Sequence, residues 1–124
     1  MHTLGTFQRA NPLPGRLTRS AACRSRNKPA RIPVILEHSA QVTRPSLILL
    51  KSEFLVPADL TVAEFLFKLR ASLQGHIRPE TAVYLMAGGT MVLPSMEMGA
   101  VDAEFADAED GWLYLVWAEE STFG

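Results

Sequence analysis

Glu53-Phe54-Leu55-Val56-Pro57-Ala58-Asp59-Leu60-Thr61-Val62-Ala63-Glu64-Phe65 is a strand, a tight connection and a helix start in thirteen residues. Phe54, Leu55 and Val56 favour extended backbone, and Pro57 closes the run because it has no N–H to give a ladder. Thr61-Val62-Ala63-Glu64 is a capping-box pattern: the Thr hydroxyl and the Glu carboxylate satisfy backbone donors that a helix start leaves open. Val62, Phe65, Leu66, Leu69 and Leu73 then recur at helical spacing and make one apolar stripe, and Gly75 is a natural stop. A single helix with one apolar face has to cover a sheet. The stripe therefore reads as core and not as a cofactor surface.

Working outward, Arg31-Ile32-Pro33-Val34-Ile35-Leu36 reads as the first core strand, with Pro33 at an edge or a strand start. Residues 40–46, which contain Pro45, read as a loop. Beyond the helix, Ala82-Val83-Tyr84-Leu85-Met86-Ala87 is a third strand, and Gly88-Gly89 supplies the positive φ of a hairpin turn. Residues 90–93 can return as a short strand, and after Pro94 a short helix is expected over 95–101. Asp110-Gly111 turns into Trp112-Leu113-Tyr114-Leu115-Val116-Trp117, which is apolar on both faces and so belongs in the middle of the sheet. Two strands, a helix, then further strands with the last one central give an α+β architecture of the β-grasp, ubiquitin-like kind over residues 31–124. Residues 1–30 form a basic N-terminal arm, either short helices or a disordered extension.

The 124 residues are 48% hydrophobic, enough for the core of one domain. No apolar stretch approaches the roughly 20 residues of a membrane-spanning helix, and no apolar segment follows the N-terminus as in a secretory signal. A soluble, cytoplasmic protein is the expectation, and the single Cys23 fits a reducing compartment. The net charge of −1 conceals a separation: the first acidic residue is Glu37 and the last basic one is Arg78. Arg9, Arg16, Arg19, Arg24, Arg26, Lys28 and Arg31 make the arm basic, whereas Asp102, Glu104, Asp107, Glu109 and Asp110 make a late loop acidic. The arm reads as a solvated extension, a contact for an anionic partner or lipid surface, or a mitochondrial presequence, against which Pro12, Pro14 and Gly15 interrupt the amphipathic helix. The acidic loop reads as solvated.

Chemistry is sparse. His2, His38 and His76 are far apart in sequence, and Cys23 has no partner at ligand spacing, so no metal site is expected. Cys23 lacks any visible base, Gly88-Gly89 lacks the rest of a phosphate loop, and the late carboxylates lack calcium-loop spacing. Neither catalysis nor a cofactor is expected.

Three segments go further: Arg31-Ile32-Pro33-Val34-Ile35, Phe54-Leu55-Val56-Pro57-Ala58-Asp59-Leu60-Thr61-Val62, and the tail Glu120-Ser121-Thr122-Phe123-Gly124. Together with Met98-Gly99 and residues 110–114, the chain from about Pro29 to Gly124 resembles the autophagy-related ubiquitin-like modifiers of the GABA-receptor-associated protein and microtubule-associated light chain type. In that family two helices precede the β-grasp domain; the prolines and glycine of the arm leave those helices open here. The resemblance implies activating and conjugating enzymes, a processing or delipidating cysteine protease, and attachment of Gly124, presented behind Phe123, to phosphatidylethanolamine on autophagosomal membranes. Glycine suits that role because it leaves the carbonyl unhindered. Residues that follow this glycine in many relatives are absent here, so the chain either needs no trimming or is already trimmed.

The resemblance also implies receptors and adaptors that dock short aromatic-x-x-aliphatic peptides as a strand beside Glu53–Pro57. Pro33, Lys51, Leu55 and Trp112 would line the aromatic pocket, and Phe54, Val56, Pro57, Leu60 and Phe65 the aliphatic one; Arg70 would meet peptide acids. Two positions depart from the family. Glu53 replaces a basic residue and should repel acidic flanks of the peptide, and Lys68 replaces an apolar one, its stem lining the pocket with the ammonium in water. No nucleic-acid partner is expected. The alternatives are an unconjugated ubiquitin-fold interaction protein and a modifier of protein lysines; the sister family of such modifiers ends in Trp-Gly, unlike Phe123-Gly124.

Overall fold

The computed structural model describes residues 6–26, 31–38, 53–75 and 77–120. Two helices, α1 (Thr6–Ala10) and α2 (Leu13–Arg26), precede β1 (Arg31–His38), β2 (Glu53–Pro57), α3 (Val62–Ser72), β3 (Ala82–Ala87), β4 (Thr90–Met91), α4 (Met98–Phe105) and β5 (Leu113–Glu120). The sheet order is β2-β1-β5-β3-β4, so the twice-apolar final strand is central as its sequence requires. β5 runs parallel to β1 and antiparallel to β3, while β2 pairs antiparallel with β1 and forms one edge. Pro33 is the third residue of β1, opposite Leu55 of β2. The ladder to β5 begins only at Val34, so Pro33 sits where β1 has a partner on one side alone.

The capping box forms as read: Glu64 N–H donates to Thr61 Oγ1 at 3.1 Å, and Thr61 N–H donates to Glu64 Oε1 at 3.0 Å. These bonds, the backbone one first, lower the Glu64 pKa from its ordinary value. The next donors of α3, Val62 and Ala63 N–H, reach the carbonyls of Met96 and Pro94. Reciprocally, Met98 and Gly99 N–H at the start of α4 reach the carbonyls of Leu60 and Ala58, which replaces the side-chain cap that α4 lacks. Val62, Phe65, Leu69 and Leu73 lie under 6% exposed against Val34, Leu36, Leu85, Leu113, Leu115 and Trp117, the main core on one face of the sheet. Gly88 and Gly89 adopt φ of +57° and +78° and close the β3–β4 hairpin.

The other face carries α1 and α2: of the two readings of the arm, short helices form, and its prolines do not break them. Pro14 is the second residue of α2, in the first turn, where N–H groups have no intrahelical partner, so it breaks nothing. Gly15 weakens the helix by about 1 kcal/mol relative to alanine. Tertiary bonds hold it nonetheless. Arg16 Nε donates to Asp110 Oδ2 at 2.8 Å, and Arg16 Nη1 donates to the carbonyls of Gln8 and Asn11. Ser20 donates to the Asp110 carbonyl, and Arg24 makes paired bonds of 2.8 and 2.9 Å to Asp102 and a third, of 2.8 Å, to Gly111 O. Asp110 and Asp102 are thus partners of the basic arm, contrary to the reading of the acidic loop as solvated; Asp110 is completely buried. Gly111, at φ +78°, admits α2 this closely, since a Cβ there would lie 2.8 Å from Ser20 Oγ.

Asp110 also accepts from Trp112 N–H at 3.0 Å and from the Tyr114 hydroxyl. With its oxygens so occupied, the buried carboxylate is matched by a charge and several donors, and its removal leaves the buried Arg16 with carbonyl partners but without its counter-ion. Asp110→Ala should therefore lower the unfolding free energy by about 3–5 kcal/mol, measured by urea denaturation, with α1–α2 becoming the first segment cut in limited proteolysis.

Burial, followed by the hydrogen bond to Asp110, raises the Tyr114 pKa well above that of an ordinary phenol. A raised acid pKa in the folded state means stability that is complete below about pH 10 and falls as pH rises beyond it, because the unfolded chain loses that proton first. Tyr114→Phe should be less stable than wild type at pH 7, and the gap should narrow between about pH 10 and 11.5 in parallel urea titrations. A gap that stays constant through that window would contradict the linkage.

Candidate functional site

β2 is hydrogen-bonded to β1 on one side only among the described residues, which leaves a free strand edge. Its side chains alternate between the two faces of the sheet. Phe54 and Val56 face the main core, where the Phe54 and Phe65 rings meet edge to face at 5.8 Å. Between β2 and α3 lies an open apolar cleft of about 590 Å³, and Phe54, Leu55, Val56, Pro57, Leu60, Phe65 and Lys68 all line it. Every residue expected in the aliphatic pocket is therefore in its wall. Lys68 follows Glu64 by one helical turn, and the cation helps hold the Glu64 carboxyl low.

Arg31, Leu36, Leu69 and Ser72 also line the cleft and were not assigned to it from sequence. Leu69 and Ser72 lie one helical turn beyond Phe65 and Lys68, so their spacing could have placed them on this face. Arg31 needed the β1–β2 register, which sets it opposite Pro57.

The second face of the sheet holds the aromatic group. Trp112 is 2% exposed and packs edge-on against Phe7 at 5.0 Å between ring centroids, and its Nε1 donates to the Arg16 carbonyl at 2.9 Å. Pro33 is buried, Leu55 is 42% exposed, and both belong to this side. The Arg19 guanidinium from α2 stands 5.7 Å from the Phe7 ring centre and 5.6 Å from that of Trp112, in cation–π range. It also pairs with Glu53 at the start of β2. Glu53 is accordingly not the lone negative charge expected beside the edge: a cation that sequence reasoning did not assign to the site neutralises it.

Arg70 points elsewhere. Its guanidinium donates to the carbonyls of Pro79 and Thr81, tying α3 to the segment before β3, and it takes no part in the cleft wall. Lys51, Phe123 and Gly124 lie outside the described residues. β5 ends at Glu120, four residues before Gly124 in sequence.

A five-stranded mixed sheet with a central final strand, one long helix across one face and two N-terminal helices on the other defines a ubiquitin-like protein with an N-terminal helical extension. The comparisons agree. Residues 16–124 match the model of the family described as autophagy protein Atg8, ubiquitin like, and the chain belongs to that family. It is 36% identical over 119 residues to autophagy-related protein 8a of Arabidopsis thaliana, covering 96% of this chain and 93% of that one. It is 38% identical over 96 residues to autophagy-related protein 8D of Oryza sativa subsp. japonica, covering 77% and 78%. Among solved structures, the crystal structure of Trypanosoma brucei ATG8 superposes with a TM-score of 0.80 at 28% identity, covering 98% of this chain and 100% of that one.

Proposed function

We propose that this autophagy-family modifier is conjugated through Gly124 to phosphatidylethanolamine on autophagosomal membranes and there docks short aromatic-x-x-aliphatic peptides on β2. The observation that carries the docking is the free edge of β2 flanked by apolar sites on opposite faces. A peptide adding as a strand presents residues separated by an odd number to opposite faces. Anchors three apart, spanning roughly 10 Å, then reach the Pro33–Leu55–Trp112 side and the α3 cleft together. Spacings of two or four would send both anchors to one face.

The aromatic site adjoins the Glu53 end of β2 and the cleft adjoins Pro57, Leu60 and Lys68, so the peptide runs parallel to β2. Backbone bonds to the edge supply pairing, and the two sites supply selection. Activating and conjugating enzymes, a delipidating protease and receptor proteins are the partners of this reading. Two acyl chains hold the conjugate on the bilayer, since each buried CH₂ is worth roughly 0.8 kcal/mol and a single chain binds only marginally. No helix among the described residues is long and apolar enough to cross a membrane.

Gly124→Ala should stay folded and lose membrane capture, because a Cβ beside the carbonyl hinders transfer to an amine. Cell fractionation with intact-mass analysis of the membrane pool measures it; equal membrane association of both forms would refute conjugation at Gly124.

Leu55→Ala should weaken aromatic-x-x-aliphatic peptides by about five- to thirtyfold in calorimetry, as expected for truncating a central apolar contact of about 1–2 kcal/mol. The loss should not depend on the charge of the residues around the anchors. Unchanged affinity would place docking away from this edge.

A further inference from the structure

The ion pair between Arg19 and Glu53 stands at the end of β2 where the segment preceding a docked aromatic anchor would arrive. The placement follows from the parallel orientation derived above and rests on that docking reading. With the aromatic anchor directed at the α2 face, the residue two positions before it shares that face. Its side chain therefore comes to Arg19 and Glu53, not to the α3 cleft.

Three features make Arg19 a ready receptor for a carboxylate. The Phe7 and Trp112 rings lie in cation–π range of its guanidinium, so Glu53 is not its sole restraint. Those rings are fixed in turn by the Trp112 Nε1 bond to Arg16 O and by burial of Phe7 and Trp112 at 8% and 2% exposure. And the side chains of Arg19 and Glu53 are 45% and 42% exposed, so their contact can open without unpacking the core.

We propose that Glu53 is an intramolecular competitor for Arg19, a carboxylate of the chain itself occupying the position that an acidic side chain of the peptide would take. An acidic residue two positions before the aromatic anchor displaces Glu53 from Arg19; the displaced carboxylate turns to water. Such a peptide gains only the excess of its own contact over the one it replaces. A neutral residue there leaves the pair intact. Glu53 thus sets how strongly the groove favours acidic peptides, acting through Arg19 and not simply as a repelling charge.

The two modes of action separate in a double-mutant cycle on the full chain. Three peptides share one aromatic-x-x-aliphatic core and carry Glu, Ser or Lys two positions before the aromatic. Calorimetry measures each against wild type, Glu53→Gln, Arg19→Gln and the double variant. An exposed pair of this kind corresponds to no more than about a fivefold effect, so all four proteins should remain folded, which circular dichroism checks.

Glu53→Gln should tighten the Glu peptide about two- to fivefold at low salt and change the Ser peptide by clearly less. In the Arg19→Gln background the same substitution should tighten the Glu peptide clearly less, because no cation remains to be released. The difference between backgrounds should fade at about 0.5 M salt, where screening shortens the reach of exposed charges. Equal tightening in both backgrounds would overturn the competition and leave only repulsion by Glu53. If all three peptides bind but Glu53→Gln alters none of them, the pair lies off the peptide path and the inference fails while docking stands. If none of the three binds wild type, the docking reading falls and the inference falls with it.

Discussion

The carboxylate of Asp110 is the point on which both faces of the molecule depend. It is wholly buried, ion-paired to Arg16 and bonded to Trp112 N–H and the Tyr114 hydroxyl, while its own backbone carbonyl accepts from Ser20. Those contacts bind α2 to the turn that launches β5. They fix the height of α2 above the sheet, hence the placement of Arg19 over Phe7 and Trp112, hence the wall beside β2. A buried pair of this kind adds little net stability compared with an apolar contact of the same volume, but losing one partner is costly. It therefore selects one placement for helices that their own sequence would hold weakly: α1 has five residues, and α2 contains Gly15.

Local signals carried most of the β-grasp body. The capping box at Thr61 and Glu64, the stripe from Val62 to Leu73, the paired glycines after β3 and the apolar last strand are each encoded within a few residues, and each forms. Much of the cleft wall was legible for the same reason: Phe54, Val56 and Pro57 lie on one strand and Phe65 and Lys68 on one helix, both of known period, whereas Leu60 sits in the connection between them. The N-terminal helices were not legible. Pro14 reads as a breaker until the helix start is known to fall one residue before it, and the helix is held there by Arg16 and Ser20, which reach Asp110 at 94 and 90 positions away.

The separation of charge along the chain misled for a related reason. Seven basic residues before Glu37 and a cluster of acids after residue 101 look like two opposed fields directed at outside partners. In the folded chain three of the basic groups, Arg16, Arg19 and Arg24, meet Asp110, Glu53 and Asp102. Segregated sequence charge is here an intramolecular complement, and Glu53 shows the cost of reading one member alone: as an isolated residue it is a repelling carboxylate, and with Arg19 it is half of a neutral pair. Nothing local links positions 19 and 53; only the packing of α2 on the sheet does.

The order of strands separates the two activities proposed for the chain. In the proposed reading docking would use β2, which among the described residues is an outermost strand paired on one side only. Conjugation would use the residues that follow β5 in sequence, and β5 itself lies two strands further in, paired on both sides, to β1 and β3. β5 is also pinned at its start through Asp110 and Trp112, so a tether at its far end acts on the most firmly held strand of the sheet and not on the edge that receives ligands. The β1–β2 pairing need not change when the tail is engaged, and the β5 pairings need not change when the edge is filled. A protein that must be attached to a surface and still recruit partners has that arrangement available to it when its last strand is central and its second strand is outermost, which is what the twice-apolar sequence of residues 112–117 and the proline-closed sequence of residues 53–57 bring about.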